Sequence, residues 1–198
     1  MLARSITLAF LLGAPVWAAP AEQGAGQTKL LASDGGADDR FGVSVALHGT
    51  TAVVGAFLND DDAEESGSAY VFDLNGQEIA RLLAADAAQE DWLGFSVATT
   101  GSIALVGAPG PPVFSPTAGA AYIFAREAGG PDRWGQVAKL IADAAPVGAR
   151  FGAAVALDSD TAVVGAPLEG TRRGAVTSWS AKKCAAVLRR GKYATRRQ

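Results

Sequence analysis

One phrase recurs three times along the chain and limits what it can fold into. The first copy runs Phe41-Gly42-Val43-Ser44-Val45-Ala46, then Thr51-Ala52-Val53-Val54-Gly55-Ala56. The second runs Leu93-Gly94-Phe95-Ser96-Val97-Ala98, then Ile103-Ala104-Leu105-Val106-Gly107-Ala108-Pro109. The third runs Phe151-Gly152-Ala153-Ala154-Val155-Ala156, then Thr161-Ala162-Val163-Val164-Gly165-Ala166-Pro167. Gly55, Gly107 and Gly165 are spaced 52 and then 58 residues apart. That period is too long for most helical repeats. It points to an architecture in which each unit buries its face against its neighbours.

Each copy is patterned as short strands. Over Phe41–Leu47 the residues alternate, with Val43, Val45 and Leu47 on one face and Ser44 and Ala46 on the other. After a turn at His48-Gly49-Thr50, Thr51–Ala56 is an almost unbroken small apolar run, suited to a strand buried on both faces. Gly55 leaves space for another backbone to approach. A longer loop leads to Gly67–Phe72, matched by Gly119–Phe124 and, more weakly, by Gly174–Trp179. Their aromatic and β-branched residues favour a third strand. Asn75-Gly76 predicts a tight hairpin into a fourth strand, Gln77–Leu83. The segment Arg81-Leu82-Leu83-Ala84-Ala85-Asp86 also opens the second repeat, as Lys29–Asp34 opens the first and Lys139–Asp143 the third. Each of these openings reads as a strand entering a polar loop. Four short antiparallel strands in about 55 residues make one propeller blade.

The pairing of Phe-Gly with Gly-Ala-Pro, followed by Gly-Ser-Ala-Tyr-Val-Phe at 67–72, resembles the FG-GAP repeat. That repeat is the blade unit of integrin alpha-chain heads and of many secreted bacterial proteins. The resemblance implies an all-β fold, a partial β-propeller of three four-stranded antiparallel blades within residues 28–179, the third incomplete. The blades fall at about 29–80, 81–138 and 139–179. Departures are Leu93-Gly94 for Phe-Gly, Ala56-Phe57 for Ala-Pro, and the eroded third aromatic strand. The family usually closes about seven blades. Three blades leave open edges, which invite self-association.

The ends carry separate signals. Residues 1–18 read as a secretory signal: Arg4 in the n-region, an apolar stretch from Ile6 to Gly13, and Val16-Trp17-Ala18 as cleavage site. The apolar stretch is short of the ~20 residues a membrane span needs. Residues 19–27 form a flexible lead-in. Export predicts a secreted, periplasmic or cell-surface location. From Thr171 onward there are nine Lys/Arg and no acid, against 8 Lys/Arg and 20 Asp/Glu before it. An acidic body repels phosphate and argues against nucleic acid as partner. The basic tail, 180–198, reads either as sequence out of frame after about Ala175, in a shortened member of a longer family, or as a disordered tail for anionic polymers.

Candidate chemistry is sparse. The resemblance implies calcium in an Asp-x-Asp-x-Asp-Gly loop between the Phe-Gly and Gly-Ala-Pro parts. Here that interval holds no carboxylate in two copies and only Asp158 and Asp160 in the third. A different loop, Asn59–Glu65, packs five carboxylates together: Asp60, Asp61, Asp62, Glu64 and Glu65. Either a calcium ion gathers them or they are a solvated surface loop. The acids ahead of the Phe-Gly strands, Asp34, Asp38, Asp39, Asp86, Glu90 and Asp91, either line a binding face or cap turns, and the turn chemistry favours capping. Trp92, Trp134, Tyr70, Tyr122, Phe72 and Phe124 could stack on sugars, although packing between blades is the commoner use. The single histidine, His48, sits in a turn, and no phosphate loop or zinc spacing is present. Cys184 lies in the basic tail.

These features predict an exported, non-enzymatic interaction or adhesion module that binds protein or glycan through blade loops. The alternatives are a non-functional fragment of a longer FG-GAP protein and the remnant of a propeller hydrolase.

Overall fold

The structure, a computed structural model, describes residues 27–180 except 61, 112–116, 132, 144, 160 and 170–173. The expected signal segment, most of the lead-in, the tail after Ser180, and Asp61, Asp160 and Cys184 lie outside the described residues.

Three antiparallel sheets follow one another along the chain. The first contains β1 (Ser44–His48), β2 (Thr51–Ala56), β3 (Ser68–Asp73) and β4 (Glu78–Leu82) in that spatial order. The second repeats it with β5 (Ser96–Thr99), β6 (Ile103–Ala108), β7 (Ala120–Ala125) and β8 (Gly135–Leu140). The third has β9 (Ala154–Asp158), β10 (Thr161–Ala166) and β11 (Ala175–Ser180), ordered β11-β10-β9. The expected partial propeller with an incomplete third blade is therefore present. The loss of the aromatic motif in the third copy leaves its backbone pairing intact, with Ala166 opposite Ala175 through to Thr161 opposite Ser180.

Two sequence expectations shift. The first strand of each blade begins three residues later than the Phe-Gly pair. Arg40, Trp92 and Arg150 sit at φ 59°, 60° and 59°, and Gly42, Gly94 and Gly152 at 89°, 92° and 98°. Left-handed residues two apart cannot lie in a ladder, so the Phe-Gly pair is a turn that enters the blade. Lys29–Asp34 is not a strand either. β4 and β8 are brought beside their sheets by the preceding hairpins, and no hairpin among the described residues does this for residue 29 onward. Instead Leu30 and Ala32 pack on Val54, Ala56, Tyr70 and Phe72 of the first blade.

The core lies between blades. One face of blade 1 (Val53, Ala69, Val71) meets Leu93, Ala104, Val106, Tyr122 and Phe124 of blade 2. The same face of blade 2 (Leu105, Ala121, Ile123) meets Phe151, Ala162, Val164 and Ala166 of blade 3. Burial of these apolar faces supplies the main favourable term for stacking.

Backbone contacts set the register of each junction. Gly67 bridges Leu93 in parallel, and Gly119 bridges Phe151. The Leu93 N–H donates to the Ser66 carbonyl at 2.9 Å, and the Phe151 N–H to the Ala118 carbonyl at 2.7 Å. The Ser44 hydroxyl donates to the Gly94 carbonyl at 2.7 Å, and Ser96 to the Gly152 carbonyl at 2.7 Å. Gly55 and Gly107 make this approach feasible. A Cβ on either would fall within contact distance of the Gly94 or Gly152 carbonyl oxygen.

Candidate functional site

The Phe-Gly turns, the ends of β2, β6 and β10, and the starts of β3, β7 and β11 all lie at the same end of the sheets, because adjacent strands run antiparallel. Side chains from three blades meet there. Phe57, just after β2, meets Trp92 edge-on at 5.3 Å between ring centroids and Phe95 at 5.4 Å. Trp92 and Phe95 stack at 6.2 Å with 10° between their planes. The Arg150 guanidinium of the third blade lies over Phe95 at 5.0 Å and over Trp92 at 5.9 Å. All four residues are half-buried. Arg150 Nε is buried without a hydrogen-bond partner, and no carboxylate pairs with this guanidinium among the described residues. Burial pulls its pKa below the ordinary value, though an arginine remains charged.

Departures from the repeat create this cluster. Phe57 stands where the other copies have Pro109 and Pro167, and Phe95 stands where they have Val43 and Ala153. The sequence marks Trp92 as a candidate and Phe57 only as a departure from Ala-Pro, and it does not mark Phe95 or Arg150. The available signal was the break in the repeat at positions 57 and 95. Of the other aromatics singled out, Tyr122 and Phe124 are buried between blades 1 and 2, Tyr70 and Phe72 are buried on the first blade under Leu30, Ala32 and Phe41, and half-buried Trp134 packs against the core between blades 1 and 2.

The acidic loop lies beside the cluster. The Trp92 indole N–H donates to Glu65 Oε2 at 3.0 Å, and the Gln89 amide donates to Glu64 Oε2 at 3.0 Å. Asp60 Oδ1 accepts the Glu65 N–H at 2.7 Å, which closes the loop on itself. Asp62 is exposed, and Asp61 is outside the described residues. Glu64 and Glu65 thus tie the first blade's loop to residues that enter the second. Among the described residues no three His, Cys, Asp or Glu side chains converge in a way that could hold a metal ion. Asp158 accepts the Ser159 N–H at 2.7 Å within its turn.

The acids ahead of the strands divide by task. Asp39 and Asp91 close their own turns. The Gly36 N–H donates to Asp39 at 2.7 Å and the Ala88 N–H to Asp91 at 2.9 Å. Burial pushes the Asp91 carboxyl above the usual range despite that bond. Asp38 and Glu90 occupy left-handed positions at φ 69° and 62°. Asp34 and Asp86 form a repeated clamp. Asp34 accepts from the Tyr70 hydroxyl at 2.8 Å and pairs with Arg81. Asp86 accepts from the Tyr122 hydroxyl at 3.1 Å and from Lys139 Nζ at 2.7 Å. Burial works against ionisation of Asp34, but the bonds from Tyr70 and Arg81 outweigh it and lower its pKa. The Lys139 bond does the same for Asp86. Desolvation raises the Tyr122 hydroxyl to about 12. Each clamp ties the segment that opens a repeat to the third and fourth strands of the same blade.

His48 is exposed at the turn between β1 and β2. No helix among the described residues is long and apolar enough to cross a membrane. A family model described as FG-GAP repeat matches residues 25–72, 77–124 and 134–177, one match for each sheet. No curated protein matches the chain.

Proposed function

The chain belongs to the FG-GAP repeat family, and on that premise we propose that it is an exported, non-enzymatic interaction module that holds a protein or glycan through the blade loops at one end of its sheets. FG-GAP repeats form propeller-like modules that commonly serve protein interaction. The observation that carries the reading is the Phe57–Trp92–Phe95–Arg150 cluster. Tryptophan and arginine are enriched among the residues that dominate binding energy at interfaces. Aromatic faces stack on sugar rings as readily as on protein side chains. A guanidinium held over rings and without a carboxylate partner is ready to accept an anionic group in bidentate geometry. The neighbouring Glu64 and Glu65 offer acceptors for ligand hydroxyls or amides.

Trp92 reports on its own site. Neutral and uronate-bearing oligosaccharides and a panel of surface proteins are titrated into the full chain while indole emission is followed. A true ligand shifts that emission, and F95A and R150A each weaken its binding at least tenfold with little change in melting temperature. Binding that survives in the double variant refutes this surface. Mass spectrometry of the recovered ligand tests the non-enzymatic reading, since a chemically altered ligand contradicts it.

A further inference from the structure

The two junctions inside the molecule are built alike, and its two end faces carry the two halves of a third. The geometry points to head-to-tail docking of a second copy of this chain, its first blade seated on the outer face of the third blade. This goes beyond the ligand surface above and uses none of its residues.

The third blade is preformed to receive a Phe-Gly turn. Gly174 holds φ 71° and its N–H donates to the Glu169 carbonyl at 2.9 Å. Gly67 in the first blade holds φ 79° and donates to the Asn59 carbonyl at 2.9 Å, and there it bridges Leu93. A Cβ at Gly165 would meet no backbone closer than the Ala154 carbonyl at 3.7 Å, whereas at Gly55 and Gly107 the incoming turn fills that space. The face around Gly165 consists of Ala154, Ala156, Val163, Val176 and Ser178, paired across β9, β10 and β11. Val176 is 72% exposed, although its counterparts Ala69 and Ala121 are fully buried under the next blade.

The first blade presents the matching half. Nothing lies within 4 Å of a Cβ built on Gly42, while Gly94 and Gly152 press on the Ser68 and Ala120 carbonyls of the preceding blade. Val43, Val45 and Leu47 are exposed, Val45 by 71% and Leu47 by 67%. Val97 and Val155, the counterparts of Val45, are half-buried within the stack. An apolar row of this kind marks an interaction surface. The half-site that fits the third blade is thus carried by the first. A heterologous contact of this sort closes into a ring or propagates as a filament. One difference weakens it relative to the internal junctions: Ala154 replaces Ser44 and Ser96, whose hydroxyls donate to the incoming glycine carbonyl.

Sedimentation velocity of the full chain over a range of concentrations tests the docking. The wild-type chain should associate as concentration rises. A154S should restore the missing hydrogen bond and tighten association about fivefold. G165V should abolish association without lowering the urea midpoint of the dilute chain, because it obstructs an incoming turn and no internal contact. A chain that stays monomeric at 100-fold higher concentration, with A154S as well, overturns the proposal. So does association that G165V leaves intact, which would place the contact on another edge. A large loss of stability in dilute G165V also overturns it, since a segment of the same molecule would then fill the socket. None of these outcomes bears on oligosaccharide or protein binding at Trp92.

Discussion

Gly107→Ala isolates the energetics of the blade junction. Gly107 lies in β6 and is not in the left-handed region, so its own backbone accepts alanine. The obstacle is across the junction: the new methyl would meet the Gly152 carbonyl oxygen and the Ser96 hydroxyl. The carbonyl is main chain and is held by the turn from Arg150 to Gly152, so it cannot rotate aside. Overpacking of this kind typically costs 1–3 kcal/mol. If the blades separate enough to break the bond from Ser96, about 1 kcal/mol more is lost. A total of about 2–4 kcal/mol is a large share of the roughly 5–15 kcal/mol that stabilises a domain. With a urea m-value of about 2 kcal/mol/M, the midpoint should fall by about 1–2 M. The molecule supplies its own control in Gly165→Ala, where the nearest atoms are the Ala154 Cβ and carbonyl oxygen, at 3.5 and 3.7 Å. There alanine should be neutral or stabilise by up to about 1 kcal/mol through the unfolded state. Both variants are measured by circular dichroism in dilute solution, where each chain is monomeric. Equal losses from the two substitutions would refute the reasoning, because the cost would then belong to the strand and not to the neighbouring blade.

Three further outcomes follow from the geometry. Phe151→Ala should cost about 3–5 kcal/mol by urea unfolding, since Phe151 is fully buried between blades 2 and 3, whereas half-buried Phe41 should cost clearly less; equal losses would contradict the burial pattern. Asp34 and Asp86 have lowered folded-state pKa values, so their contribution is present above the ordinary carboxylate value of about 4 and is lost as pH falls through the lowered folded value. D86N should therefore be less stable than wild type at pH 6 and converge with it in acid, and a constant gap between the two melting curves would exclude the clamp as its source. A calcium ion that takes both oxygens of Glu65 must draw Oε2 from the Trp92 indole, so a calcium-induced rise in melting temperature through bidentate Glu65 should come with a shift in tryptophan emission; a rise with unchanged emission would exclude bidentate Glu65 as its source.

The strands were legible because their signals are local. Period-two alternation, the Asn75-Gly76 hairpin and the small apolar runs act within a few residues, and β2, β3, β6 and β7 fall within a residue of expectation. Burial was not legible, because it depends on which blade lies alongside. Val45, Val97 and Val155 occupy the same place in the phrase, yet Val45 is exposed and the other two are half-buried. The clamps were hidden for a related reason. Asp34 and Asp86 recur as loop acids in the sequence, but each finds its tyrosine 36 residues downstream, a pairing made only when the blade closes. In the third copy Thr177 replaces that tyrosine, and Asp143 falls one position earlier than Asp34 and Asp86 do in theirs, so the sequence does not repeat the clamp there. The aromatic cluster is the opposite case. The repeat carries a signal only where its copies agree, and Phe57 and Phe95 stand where they do not. A blade needs proline or a small residue there only to turn the chain. Large rings at both positions, under a guanidinium from a third blade, are not required by stacking, since blades 2 and 3 pack with Pro109 and Ala153 in their place. What the fold does not require is the part of the sequence left free to meet a ligand.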